Sequence, residues 1–338
     1  MDGSKMAAHR FGKSIKEQGG NKMEQMFAKQ NPSSGGSSSR LKNFALATTV
    51  LALCFVAPLY DLIRFAANSE FHSYILLIPF ISCYLIWLKK GSFPVCSQPA
   101  GKAVAILFLA AGMLVLIAYW LVLRPRLKLM EDDCLALMMV AFLLCFLGVC
   151  CLFWGKATLR AAAFPLGLLI FMVPIPAFVM PPIDSFLQQG SAAAAQGLFS
   201  LSGTPFLRDG LIFQLPGINI QVAPECSGIQ SSLVLLITGL VASYLFLRRA
   251  RNQILLTLLM IPLGLLRNGF RVFTIGELCV HLGPRMINSP IHHKGGPIFF
   301  VLSLIPLFIL LVMLQKSERA GGKPKFQSGG NPDPKSPK

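Results

Sequence analysis

The sequence predicts an all-α polytopic membrane protein of about eight transmembrane helices, with a small hairpin-containing extracytoplasmic loop ahead of Cys226. Three observations predict it. Hydrophobic residues make up 54% of the 338 positions and charged residues only 13%, about half the charge of an ordinary soluble domain. The apolar residues gather in runs at 44–60, 72–88, 104–123, 134–154, 159–179, 230–247, 254–266 and 297–314, many close to the roughly 20 residues a spanning helix needs. The bases are also unevenly spread. With the N-terminus inside, 22 Lys and Arg fall on the cytoplasmic side and 9 outside, while the acids divide 5 against 9. That bias places both termini in the cytoplasm. Several runs are short or contain proline, so seven or nine spans stay open.

The net charge of +17 is accounted for by orientation, and nucleic acid is not an expected partner; the lipid bilayer is. Residues 1–43 are polar and rich in Ser, Gly and Lys, a composition that predicts a disordered, basic cytoplasmic tail. Residues 315–338 read likewise, leaving 44–314 as the transmembrane domain. The first apolar run begins after forty-odd polar residues and reads as an internal anchor rather than a cleavable signal.

Taken in order, the second run carries Pro79, expected to kink it, and ends at Trp87 with Lys89 and Lys90 as an inner anchor. The fifth ends in Phe171-Met172-Val173-Pro174-Ile175-Pro176, a proline density that breaks a helix. Residues 183–201 read as an amphipathic, alanine-rich helix lying on the outer surface. Residues 211–215 and 218–222 read as two strands around Pro216-Gly217. The hairpin delivers Cys226 to the start of the sixth run. The seventh runs out through Pro262 towards Arg267-Asn268-Gly269-Phe270-Arg271.

The nine cysteines show no CxxC pair and no metal-ligand spacing, so neither a metal nor a cofactor is expected. Cys54, Cys83, Cys145, Cys150 and Cys151 lie within runs and read as apolar packing residues. Cys96 falls in an inner loop. Cys134 and Cys279 lie near the outer face, with a disulfide between them left open.

Cys226 differs from the rest, standing between a proline two residues before it and Gly228 two after, at a helix start. A thiolate is the reactive form of cysteine, and a helix N-terminus favours it. Ser227 and Gly228 suit a helix start, and Gly228 lets a substrate backbone approach. A histidine would serve as general acid and base, and an arginine would stabilise a tetrahedral oxyanion. Arg271 and the pair His292/His293 are the candidates. The plainer readings are a structural cysteine, an arginine at a helix end that snorkels to headgroups, and an interfacial basic patch at His292-His293-Lys294. His281 is a second candidate base, more readily read as packed in the core, and His72 reads as a polar interface residue.

These residues resemble the exosortase/archaeosortase family of multi-pass membrane cysteine transpeptidases. Residues 71–87 resemble the family's pre-helix motif and leucine-rich span. The Phe171–Pro176 element, Leu187-Gln188, Gly203-Thr204-Pro205, Arg208-Asp209-Gly210 and Leu215-Pro216-Gly217 follow in the family's order. The cysteine–serine–glycine box falls on Cys226-Ser227-Gly228, the asparagine–x–x–arginine box on Asn268 and Arg271, and the histidine box on His292, Gly296 and Phe300. The resemblance implies Cys226 as nucleophile, Arg271 as oxyanion or substrate stabiliser and His292 as general acid/base, with His293 the alternative. It implies that exported proteins are the partners, bearing a C-terminal signal of a short Pro-Glu-Pro-like motif, an apolar span and a basic cluster. Cleavage would occur at the outer face of a bacterial inner membrane, in cells that export polysaccharide. The acceptor is left open. Glu225 departs from the family pattern, and its carboxylate would either raise the thiol pKa or pair with an arginine. The competing functions are a transporter or channel and a non-catalytic polysaccharide-assembly protein.

Overall fold

The computed structural model describes residues 34–92, 101–123, 130–222, 228–283, 285–286 and 295–320. Among these, six helices are long and apolar enough to cross a membrane: Phe71–Leu88, Lys102–Leu121, Glu131–Phe153, Ile229–Phe246, Ala250–Leu282 and Gly296–Ala320. Ser39–Cys54 and Val56–Asn68, bent by 71°, make a seventh if counted as one span. Among the described residues, six or seven of the roughly eight expected spans are therefore found. The fifth run is broken into α6 (Lys156–Ala161), α7 (Ala163–Leu168) and a 3-10 turn, Leu169–Met172. Pro165 has no N–H, and its ring excludes a helical carbonyl four residues back. Its own carbonyl accepts a hydrogen bond from Ser82 Oγ at 2.8 Å.

The chain divides into two compact units. The first holds α1 (Ser34–Cys54), most of α3 (Ile78–Leu88), α4 (Lys102–Ala118), most of α5 (Glu131–Phe153), α6 and α7. Phe44 packs on Phe153 and Trp154, and Phe55 on Phe142. Gly112 and Gly148 let α4 and α5 approach: a Cβ on either would fall within 2.7 Å of Cys145 Sγ or Leu109 Cγ. Small residues at such contacts are how helices associate without a hydrophobic drive. Pro79 does not break its span, which runs as one helix over Phe71–Leu88. It occupies the second position of α3, where its missing N–H costs nothing, and a 3-10 turn over Glu70–Leu77 precedes it. Cys145, Cys150 and Cys151 are buried as expected, but Cys54 and Cys83 are exposed and pack no core; Cys134 and Cys279 are both free thiols.

The second unit contains most of α2 (Val56–Asn68), α8 (Met180–Ser202), β1 (Leu207–Asp209), β2 (Ile212–Leu215), β3 (Ile218–Gln221), α9 (Ile229–Phe246), α10 (Ala250–Leu282) and α11 (Gly296–Ala320). The expected hairpin is β2–β3, with Leu215 opposite Ile218 and Gly217 at φ 81° after Pro216, as a type II turn requires. An unexpected first strand pairs Leu207 with Gln214 and Asp209 with Ile212. The sheet's apolar face closes a core of Phe199, Phe213, Leu215, Ile220, Val222 and Val272.

The α8 helix does not spend its apolar face on a lipid surface. It runs parallel to α10, with Gly190 against Leu265, Gly269 against Ala194 and Ser191, and Gly276 against Phe199. Its buried residues Leu187, Gln188, Ser191, Ala192, Ala195 and Phe199 are the ones a reading by amphipathicity would assign to lipid. Gly203 at φ 78° ends it. Beyond that turn, Thr204 and Ser202 donate hydrogen bonds to Glu277 Oε1 at 2.5 and 3.1 Å. Arg208 Nη1 donates to Gln196 Oε1 at 2.5 Å. At the other end, Glu318 of α11 accepts from the backbone N–H groups of Arg248 and Arg249, each at 2.9 Å, and from Asn252 Nδ2 at 3.1 Å. These backbone donors sit just before and at the start of α10, where no helical acceptor serves them.

Candidate active site

The site is organised by one turn of α10. The helix has 33 residues, about 50 Å at 1.5 Å per residue, and runs well past residue 266, where the apolar run of the sequence ends. Arg271 is therefore not at a helix end. It lies about three turns before the end, in a half-buried position.

Gly228 sits directly on the preceding turn. Its φ is 71°, a conformation that side chains other than glycine rarely tolerate. A Cβ there would lie 2.8 Å from Asn268 Oδ1 and 3.4 Å from Arg267 Nη2. The backbone that opens α9 thus rests against Arg267 and Asn268, and only glycine fits. Asn268 is 1% exposed and donates through Nδ2 to Ser191 Oγ of α8 at 3.0 Å. Arg267 is 6% exposed and donates through Nη2 to Ser231 Oγ in the first turn of α9. Ser231 in turn donates to Gly228 O at 3.2 Å. Arg271 follows Arg267 by four residues, so the two guanidinium groups share a helix face.

One residue before Arg271, Phe270 meets Phe299 of α11 edge-on, ring centroids 6.1 Å apart. Phe299 N–H donates to Gly295 O at 3.1 Å, so the first turn of α11 stands beside the same stretch of α10. The starts of α9 and α11 and the 267–271 turn of α10 therefore meet.

Cys226, Ser227, Glu225, His292 and His293 lie outside the described residues; Gly228, Asn268 and Arg271 are described and lie together. Two other histidines, His72 and His281, are among the described residues. His72 Nδ1 is 3.0 Å from Ser69 Oγ, and its ring lies over Phe65. His281 is not core-packed: its side chain is 72% exposed and 3.2 Å from Glu277 Oε2. Arg267 was not among the candidates. The available signal was a second base in an apolar stretch, four residues from Arg271, since charge at such depth is costly and usually functional.

A helical membrane protein with a three-stranded sheet packed on one end of its longest helix defines a class but no single activity. The family model for transmembrane exosortase (Exosortase_EpsH) matches residues 66–309, well over half of the chain, and the chain belongs to that family. No curated protein and no solved structure matches it.

Proposed function

We propose that this exosortase is a membrane cysteine transpeptidase that cleaves the C-terminal sorting signal of exported proteins. Its membership of the family supports an enzyme of this type. The single observation that carries the assignment of residues is the seating of Gly228 on the Arg267–Asn268 turn. Covalent geometry keeps Cys226 within about 7 Å of Gly228, which itself rests on α10 one turn before Arg271. His292 is tied by a few residues to Gly295, whose helix packs at Phe270.

In this reading the Cys226 thiolate attacks the scissile carbonyl and a C–S bond forms. Arg271 stabilises the oxyanion. The C–N bond then breaks, and His292, or His293 beside it, protonates the leaving amine. An acceptor, water or a surface glycan or lipid, attacks the thioester with its proton passing to the histidine, and the thiol is restored. The geometry of α10 supports an extracytoplasmic site: from Ala250, about 20 residues at 1.5 Å each cross a hydrocarbon core of about 30 Å and end near Arg271. The sheet packs beyond that level. Both termini are cytoplasmic in this reading, in an inner membrane, with polysaccharide export as the setting.

The test is Cys226→Ser in cells that carry a tagged, signal-bearing substrate. Processing is lost while the protein stays in the membrane. Unchanged processing would overturn the reading.

A further inference from the structure

The sheet has two edges, and they are not alike. In an antiparallel ladder every second pair of opposite residues exchanges hydrogen bonds. Val222 N–H donates to Leu211 O at 2.9 Å, and the β2–β3 register carries this alternation on to Ile220–Phe213 and Ile218–Leu215. The backbone N–H and C=O groups of Asn219 and Gln221 therefore point away from β2. Among the described residues no hydrogen bond reaches them. Both residues are exposed, while Ile220 between them is buried in the core and fixes the strand's register. β3 has no charge, no proline and no bulge, the devices that ordinarily blunt an edge.

The β1 edge has them. By the same alternation Arg208 alone of its three residues turns its backbone outward. Pro205 precedes the strand and Asp209 ends it. The Gly210 carbonyl beyond it is already taken by Arg208 Nε at 2.9 Å, and the same guanidinium lies 5.8 Å from the Phe213 ring centroid. The open edge is also the one beside the candidate site. Leu215, opposite Ile218, lies against Gly276, and Ile220 and Val222 share a core with Val272, the residue after Arg271. β3 thus packs on α10 immediately past the 267–271 turn.

We propose that the free edge of β3 binds an extended stretch of polypeptide as a fourth strand, and that this stretch belongs to the exported protein being processed. The identity of that guest rests on the function proposed above; the open edge does not. The Asn219 and Gln221 backbones hold the guest by its main chain, the mode in which a peptide adds to a sheet. Its alternate side chains point to the α8–α10 side of the sheet, and the intervening ones to solvent beside Asn219 and Gln221. A second copy of the chain could pair in the same way, but the position of the edge next to the cationic turn favours a guest that enters the site.

The experiment uses the full-length protein with Cys226→Ser in lipid nanodiscs, so that binding is read without turnover. The probe is a synthetic peptide carrying a substrate's C-terminal signal and the residues ahead of its cleavage point, N-methylated in that leading stretch one amide at a time. Pairing along β3 predicts a two-residue period. A methyl on an amide that faces the edge weakens binding about tenfold or more, and one on an intervening amide changes it less than about twofold. On the protein, N219P and Q221P remove N–H groups that β2 does not use, and edge strands tolerate proline. Each weakens binding about tenfold or more, while N219A and Q221A stay within about twofold of the parent. Where a proline variant does not reach the membrane, the methyl scan on the unaltered strand decides alone. Absence of the period, or binding indifferent to a proline variant that does reach the membrane, overturns the proposal. So does a photo-crosslinker at position 221 that joins two copies of the chain instead of the peptide. Processing of the same substrate by the wild-type protein in cells is scored separately. Processing without the period sinks this inference and leaves the proposed function standing; periodic binding without processing supports the edge and contradicts that function.

Discussion

At the scale of single residues, Gly228 joins the helix start that follows Cys226 to the cationic turn of α10. Gly228→Ala is strained by its φ of 71° and would force a methyl group to 2.8 Å from Asn268 Oδ1. Loss of stability of about 1–3 kcal/mol is expected, read by thermal unfolding in detergent, together with loss of substrate processing. Arg271→Gln should act differently. If Arg271 stabilises an oxyanion, turnover falls by about 10²–10³ while unfolding stays near wild type, and a KM effect alone would contradict that role. Gly228 and the Asn268–Arg271 stretch were legible in the sequence because proline, glycine and charge are rare within apolar runs. Arg267 was legible only as composition. Its burial follows from the extra turns of α10, which no local pattern announces.

At the scale of elements, α8 and the sheet form the platform under the site. Gly269 is where the two parallel helices come closest: a Cβ there would lie 2.5 Å from Ala194 Cβ and 2.9 Å from Ser191 O. Gly269→Leu should separate α8 from α10 and break the Asn268–Ser191 bond, with the reduced stability and poor accumulation expected of an overpacked core. Phe213, fully buried between the sheet and Phe199, should cost about 3–5 kcal/mol as Phe213→Ala, measured by unfolding. The β2–β3 hairpin was readable from Pro216-Gly217 and alternating residues. Strand β1 was not, since three residues give too little alternation to distinguish Leu207-Arg208-Asp209 from a loop. The packing of α8 on α10 was not legible for a related reason. Ala, Ser and Gly at helical spacing suit a lipid surface or a close helix partner equally, and only the facing glycines Gly269 and Gly276 of α10 decide between them.

At the scale of the whole molecule, the membrane character was legible from composition, but the number of spans was not. Hydropathy counts apolar residues and does not register that Pro165 ends α6 and that Pro174 and Pro176 prevent its continuation. The proposed orientation is checked by labelling. Gln214→Cys in β2, in a chain with Cys226→Ser, should react with a membrane-impermeant maleimide in intact spheroplasts, whereas Arg251→Cys should react only after permeabilisation. The central claim is acyl transfer through Cys226. Its most direct measurement is mass spectrometry of the purified full-length protein mixed with a signal-bearing substrate and stopped by acid before acceptor is added. A covalent adduct on Cys226, equal in mass to the substrate's N-terminal fragment less one water and released by hydroxylamine, is the predicted result. Cleavage that proceeds without an adduct, and equally in Cys226→Ser, would contradict it.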